Sequence, residues 1–291
     1  SDKSERRRRP GREAPGTHSV PSARSVATGR ARGAGRPEGR RGAPSERTPH
    51  SSSLGRRVET EPGVADFTFV YGRNPVREAL RGRRQVHAVW LVAGSAGDEL
   101  ERRLHEWLGS PHAHTPGRAG RVRPAVHRLP ALELTALLGT PDHQGIGAEV
   151  DPYPYLELEQ VLRSHTLMVA LDQIQDPHNL GAIIRTAEGA GAAVLVPRHR
   201  SAEITPAVVK ASAGATEHAA VVRVRNLADA LAQAKEAGFW TYGAAAGAAA
   251  PYTAQDYRYP SCFVVGSEGE GLGRRVSAAC DVMVALPLSG R

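Results

Sequence analysis

Residues 167–191, LMVALDQIQDPHNLGAIIRTAEGAG, decide how the chain is read. Leu167 to Leu171 are apolar without alternation, the pattern of a strand covered on both faces and therefore of a mostly parallel sheet. A polar turn follows, and Asn179 then stands where a helix cap belongs, ahead of Leu180, Ile183 and Ile184. Further apolar runs at 193–197, 219–224, 239–242, 262–265 and 282–286 read as strands, most of them separated by helical patterns. In residues 226–237 the helical period is plainest. Asn226 is the predicted cap, and Leu227, Ala230, Leu231 and Ala234 share one face.

Upstream, a smaller α/β unit is expected. Residues 67–71 read as a strand, and Asn74 as the cap of a helix that has Pro75 at its first position and continues through Val76, Ala79 and Leu80. A strand at 86–92, a helix at 99–108, a Pro/Gly loop at 109–120, a helix at 131–138 and a strand at 145–150 complete it. Pro152 and Pro154, alternating with Asp and Tyr, mark a stiff connection. The expected layout is a disordered basic tail over 1–66, the small α/β unit over 67–150, a linker over 151–165 and a second domain over 166–291.

The 291 residues carry 38 Lys and Arg against 30 Asp and Glu, a net charge of +8. Residues 1–57 hold 15 basic and 5 acidic residues, a net of +10, so the remainder stands at −2. This tail opens on Arg6 to Arg9 and is rich in Gly, Pro and Ser, a composition too poor in apolar side chains to offset chain entropy. Such tails meet phosphate backbones or acidic surfaces, or are solvated with no dedicated partner. No run of about 20 apolar residues exists to span a bilayer, and no apolar stretch follows the N-terminal arginines, so the expected compartment is the cytoplasm, without membrane attachment. Cys262 and Cys280 are the only cysteines and read as core thiols.

Several chemistries are excluded. The three lysines, Lys3, Lys210 and Lys235, follow Asp, Val and Ala, so no P-loop is present. Gly269-Glu-Gly271-Leu-Gly273 misses the dinucleotide-binding spacing and falls at the fifth strand of its domain instead of the first. His105-Glu106 begins like a zinc-protease helix, but Gly109 stands where the second histidine is required, and no metal is expected. Three segments remain that place polar or glycine residues at the end of an apolar strand: 171–191, the glycine-rich 264–273 and the terminal 284–291. For Arg185, the residues alone leave a phosphate grip and a surface position equally open. Arg73, Arg77, Arg81, Arg83 and Arg84 form a basic cluster suited to phosphate or acidic surfaces.

In this order and spacing the segments resemble the SpoU (TrmH-like) group of SPOUT methyltransferases. Asn179-Leu-Gly-Ala-Ile-Ile-Arg185-Thr-Ala is similar to the first motif of that group and Gly266-Ser-Glu-Gly-Glu-Gly-Leu272 to the second. Leu286-Pro-Leu-Ser-Gly290 is similar to the start of the third, and Lys210-Ala-Ser-Ala-Gly-Ala-Thr-Glu-His218 also looks like the family. Val70-Tyr-Gly-Arg-Asn-Pro-Val76 and His143-Gln-Gly145 resemble the ribosomal-protein-like substrate-binding unit of enzymes that methylate guanosine 2′-hydroxyls in large-subunit rRNA. The likeness runs from about residue 67 to the last.

The resemblance implies a SPOUT α/β-knot domain behind a small ribosomal-protein-like α/β domain. It also implies an S-adenosyl-L-methionine-dependent RNA 2′-O-ribose methyltransferase, acting on 23S rRNA as a homodimer. A tRNA target is the alternative within the class, and a non-catalytic RNA-binding or ribosome-assembly protein the alternative outside it. By position it implies Arg185 as the catalytic arginine, Asn179 as its motif partner and Glu268 as the second-motif carboxylate. Ala244, Gly266, Leu286 and Pro287 then hold the cofactor, and Arg73, Arg77, Arg83 and Arg84 contact RNA. The family's third motif continues past the position of Gly290 into a Ser-Leu-Asn turn and a final helix, whereas this sequence stops at Arg291. An incomplete trefoil knot and weak cofactor binding are therefore expected.

Overall fold

A computed structural model describes residues 67–109 and 122–287. The readings made for the tail, for the loop beyond Gly109 and for residues 288–291 lie outside the described residues. Four strands, β1 (Thr68–Tyr71), β2 (Val86–Val92), β3 (Ala125–Leu129) and β4 (Ile146–Val150), form a first sheet in the order β1-β4-β2-β3. The β1–β4 and β2–β4 pairs are antiparallel and β2–β3 is parallel. Helices α1 (Arg73–Arg81) and α2 (Ser95–Gly109) cover one face, where Val76, Ala79, Leu80, Leu100 and Leu104 pack on Val70, Val89, Leu91, Ile146 and Ala148. Each large side chain buried there contributes about 1.5–3 kcal/mol. On the other face α3 (Ala131–Leu138) lays Leu138 into the space above Gly147.

The second sheet has seven strands: β5 (Leu167–Asp172), β6 (Ala193–Pro197), β7 (Val221–Val224), β8 (Trp240–Ala244), β9 (Ala250–Pro251), β10 (Ser261–Gly266) and β11 (Val282–Ala285). Their order is β7-β6-β5-β10-β8-β11-β9, and every described pairing is parallel, as the unbroken apolar runs require. Helices α5 (Pro177–Gly189) and α6 (Pro206–Ala211) pack Leu180, Ile184, Ala187 and Val208 on one face. The other face is covered by α4 (Leu158–Ser164), α7 (Leu227–Glu236) and α8 (Arg274–Ala279), through Val161, Leu231, Ala234 and Val276 among others. The result is a three-layer α/β/α arrangement in which β10, late in sequence, sits between β5 and β8.

Four local readings change. The first helix begins at Arg73 with Gly72 at its cap, at φ 97°, so Asn74 lies within the helix. Asp176 caps α5 by accepting from the backbone N–H of His178 at 3.0 Å and of Asn179 at 3.3 Å, with Pro177 at the first position. Asn179 is therefore a first-turn residue and not the cap. Strand β3, carrying His127 and Arg128 and largely exposed, had no apolar run to announce it. Residues 151–165, expected as a plain linker, contain α4 and a single parallel bridge from Leu156 to Val222. Asn226 does cap α7, and the four residues expected on its inner face are buried. Cys262 is buried and Cys280 half-buried. Among the described residues no helix is long and apolar enough to cross a membrane.

Candidate functional site

In open parallel sheets, ligands meet the carboxyl ends of the strands, where the topology switches direction. Here those ends carry the sequence-singled residues. Gly266 closes β10 directly opposite Asp172 at the end of β5. Ala244 closes β8 opposite Val284 of β11, and the Ala245 N–H donates to the Val284 carbonyl at 3.0 Å. Leu286 and Pro287 follow immediately, and Leu286 is 54% exposed although apolar.

The loop between Gly266 and Leu272 is a closed turn. Ser267 N–H donates to the Gly271 carbonyl at 3.1 Å, and Gly271 N–H returns to the Ser267 carbonyl at 3.0 Å. A Cβ on Gly266 would lie 2.1 Å from the Gly271 carbonyl carbon, so no other residue fits there. Glu268 and Glu270 stand exposed at the tip. The far end of the turn is anchored by Asp172, a buried carboxylate whose Oδ2 accepts from Gly273 N–H at 2.7 Å. Sequence reasoning missed Asp172, although a carboxylate placed directly after an apolar strand was the available signal. Asp281 works similarly between β8 and β11, accepting from Thr241 N–H at 3.0 Å and from its Oγ1 at 2.9 Å.

The first-motif residues lie on α5, which leaves this same edge. Asn179 is exposed in its first turn, and Arg185 is exposed almost two turns further along. The Arg185 side chain makes no hydrogen bond or ion pair among the described residues, nor does that of Glu268. The fold therefore brings the α5 start, the glycine turn and the β8 and β11 ends to one edge, without joining Asn179, Arg185 and Glu268 by direct contact. Burial raises the Cys280 thiol to about 11 and pushes Cys262 higher still, so neither sulfur supplies a thiolate nucleophile. Among the described residues no group of three or more His, Cys, Asp or Glu side chains is arranged to hold a metal ion.

Ala244, Gly266, Leu286 and Pro287 offer uncharged strand-end backbone and exposed apolar surface, a lining that fits the adenosyl part of a nucleoside cofactor. The basic cluster fares less uniformly. Arg73 is exposed, its backbone N–H donating to Gln144 Oε1 at 3.0 Å, and Arg77 is half-buried beside Glu78 at 2.9 Å. Arg83 donates to the Ala219 carbonyl. Arg84 corrects the expectation of an RNA contact: it is 3% exposed and its guanidinium is consumed by Glu217.

The parallel seven-stranded sheet, with its glycine turn at the carboxyl edge, matches the α/β fold of SPOUT methyltransferase structures. Residues 166–291 match the model of the SpoU rRNA Methylase family. The TrmH family tRNA/rRNA methyltransferase YacO of Bacillus subtilis is 34% identical over 230 residues, which cover 77% of this chain and 87% of YacO. The tRNA/rRNA methyltransferase slr0955 of Synechocystis, itself uncharacterized, is 37% identical over 241 residues; these cover 80% of this chain and 60% of the relative's length. A TrmH-family RNA methyltransferase structure from Porphyromonas gingivalis superposes with a TM-score of 0.56 at 26% identity, covering 77% of this chain and 81% of that one. The SpoU methyltransferase AviRb from Streptomyces viridochromogenes, solved in complex with AdoMet, shares the fold with a TM-score of 0.59 at 22% identity, covering 77% and 82%. The chain belongs to the SpoU/TrmH methyltransferase family.

Proposed function

We propose that the chain transfers the methyl group of S-adenosyl-L-methionine to a ribose 2′-hydroxyl of RNA. Its target is guanosine in 23S rRNA, and it works as a homodimer in the cytoplasm. The observation that carries this reading is Arg185, an exposed guanidinium without a protein partner among the described residues, on the helix that leaves the glycine-built strand edge. The sulfonium of the bound cofactor supplies an already activated methyl group. Ala244, Gly266, Leu286 and Pro287 would bind the adenosyl part through backbone and apolar contacts.

The remaining task of the protein is to align a poor nucleophile and accommodate the charge it develops. Arginine keeps its proton in proteins, so Arg185 would serve best by gripping the substrate phosphate and stabilising the developing alkoxide, while the hydroxyl proton leaves to solvent water. Asn179 and Glu268 supply polar groups for the nucleotide from the helix start and the turn tip. The likeness of residues 70–76 and 143–145 to a ribosomal-protein-like unit supports rRNA over tRNA. The tail's net +10 supplies salt-sensitive attraction for phosphate.

The test is tritium transfer from labelled S-adenosyl-L-methionine to purified rRNA and tRNA. Label in rRNA is the expected outcome. Label in tRNA alone would move the target, and label in neither would favour a non-catalytic RNA-binding role.

A further inference from the structure

The motif-bearing stretches of the two sheets meet along one seam. Arg84, in the bend that follows α1, donates from Nε to Glu217 Oε2 at 3.0 Å and from a second nitrogen to Glu217 Oε1, with both side chains almost fully buried. Its third nitrogen reaches the Asp151 carbonyl at 3.3 Å. At the solvent edge His218 Nε2 lies 3.0 Å from Glu78 Oε2, and Lys210 Nζ donates to the Asp142 carbonyl at 3.1 Å. Between these polar contacts, Val209 of α6 is buried in the apolar core of the first sheet, with Ile204 packed against it. Backbones approach closely, since a Cβ on Gly82 would lie 2.6 Å from Glu217 Cβ and one on Gly214 would lie 2.8 Å from Glu78 Cβ.

The same α6 segment also sets the position of α5. A Cβ on Gly181 would lie 2.6 Å from Ala211 Cβ and 2.9 Å from Ser212 N, so the end of α6 packs directly on the backbone of α5. A continuous packed path thus runs from α1 through Glu217, His218 and α6 to the helix that carries Arg185.

We propose that Arg84, Glu217, Glu78 and His218 are positioning residues, which lock the RNA held by the first sheet in register with Arg185. The proposal rests on the reading of Arg185 as the group at the reacting ribose and of the first sheet as an RNA holder. A rigid seam presents the target ribose at fixed distance, whereas a loosened one holds the same RNA over a range of positions. Burial makes the central pair intolerant of losing one partner, because the other is left as an unpaired interior charge.

The experiment compares methyl transfer to the full 23S transcript with transfer to a hairpin excised around the methylated nucleotide, too short to span both sheets. Misplacement by an ångström costs roughly 100-fold in rate, so E217Q should lower kcat on the transcript by about 10- to 100-fold. Its rate on the hairpin, and its Kd for cofactor and for transcript, should stay within about twofold. The double variant R84M/E217L, which removes both buried charges, should recover transcript activity. Should E217Q fail to fold, E78Q/H218Q at the solvent edge makes the same comparison and should shift the transcript-to-hairpin ratio in the same direction. An unchanged ratio, or equal losses on both RNAs, overturns the proposal. R185A is the control for the underlying reading: if it methylates the hairpin at the wild-type rate, the assignment of Arg185 fails and not the seam.

Discussion

Arg185 and Gly266 show two ways in which single residues enter the proposed site. Arg185 is exposed and uncompensated, so its removal costs the fold little. R185A and R185K should abolish methyl transfer while leaving cofactor affinity within a few-fold, as measured by parallel transfer and calorimetry; a fully active R185A would remove it from the mechanism. Gly266 is the opposite case. Its missing Cβ is occupied by the Gly271 backbone, which cannot step aside as a flexible side chain would. G266A should cost about 2–3 kcal/mol and weaken cofactor binding by opening the turn, seen together in thermal melts and titrations. His143 is buried, and its Nδ1 accepts from Gly145 N–H at 3.0 Å, so Nε2 carries the proton toward Thr135 Oγ1, also 3.0 Å away. Burial, aided by Lys210 and opposed by Asp142, holds its pKa below 6.5. The unfolded chain then binds the extra proton more readily, so this contribution to stability is complete above about pH 6.5 and is lost as pH falls through the lower folded value. H143Q should flatten the pH dependence of Tm below pH 6.5; an unchanged slope would exclude His143 as its source.

At the scale of elements, caps separate what the sequence signalled from what was read into it. D176A should lower stability by about 0.5–2 kcal/mol, whereas N179A should leave Tm almost unmoved while impairing transfer. A melt in which N179A is the more damaging change would return the cap to Asn179. Asp176-Pro177 was a legible start signal, an acceptor followed by a residue whose φ is preset for the first turn. Asn179 competes with it as a candidate because it directly precedes the apolar period. The interior strands β5, β6 and β10 were legible because both faces are covered and the apolar runs are unbroken. Strand β3 was not: among the described residues it pairs only with β2 and shows its polar side chains to solvent, so its identity comes from pairing and not from composition. Helix α4 was hidden by its shortness, with Val161 as its only fully buried residue.

Across the whole molecule, motifs far apart in sequence become neighbours through topology that no local pattern encodes. Insertion of β10 between β5 and β8 brings Gly266 opposite Asp172, and the pairing of β11 with β8 brings Val284 opposite Ala244. The basic cluster in α1 and the bend after it was legible as charge, but its division into exposed Arg73 and buried Arg84 depends on where Glu217 comes to lie. Charge is also divided at this scale, between a tail of net +10 and a remainder of −2. Deleting residues 1–57 should weaken RNA binding and flatten its dependence on salt without changing which nucleotide is modified. A shifted target would assign the tail a part in recognition.

The central claim is tested most directly by locating the transferred methyl group. After incubation of the full chain with S-adenosyl-L-methionine and 23S rRNA, nuclease digestion and mass spectrometry of the nucleosides should reveal 2′-O-methylguanosine above the untreated level, with R185A showing none. Methylation on a base, or no methylated nucleoside in any RNA offered, would contradict the account.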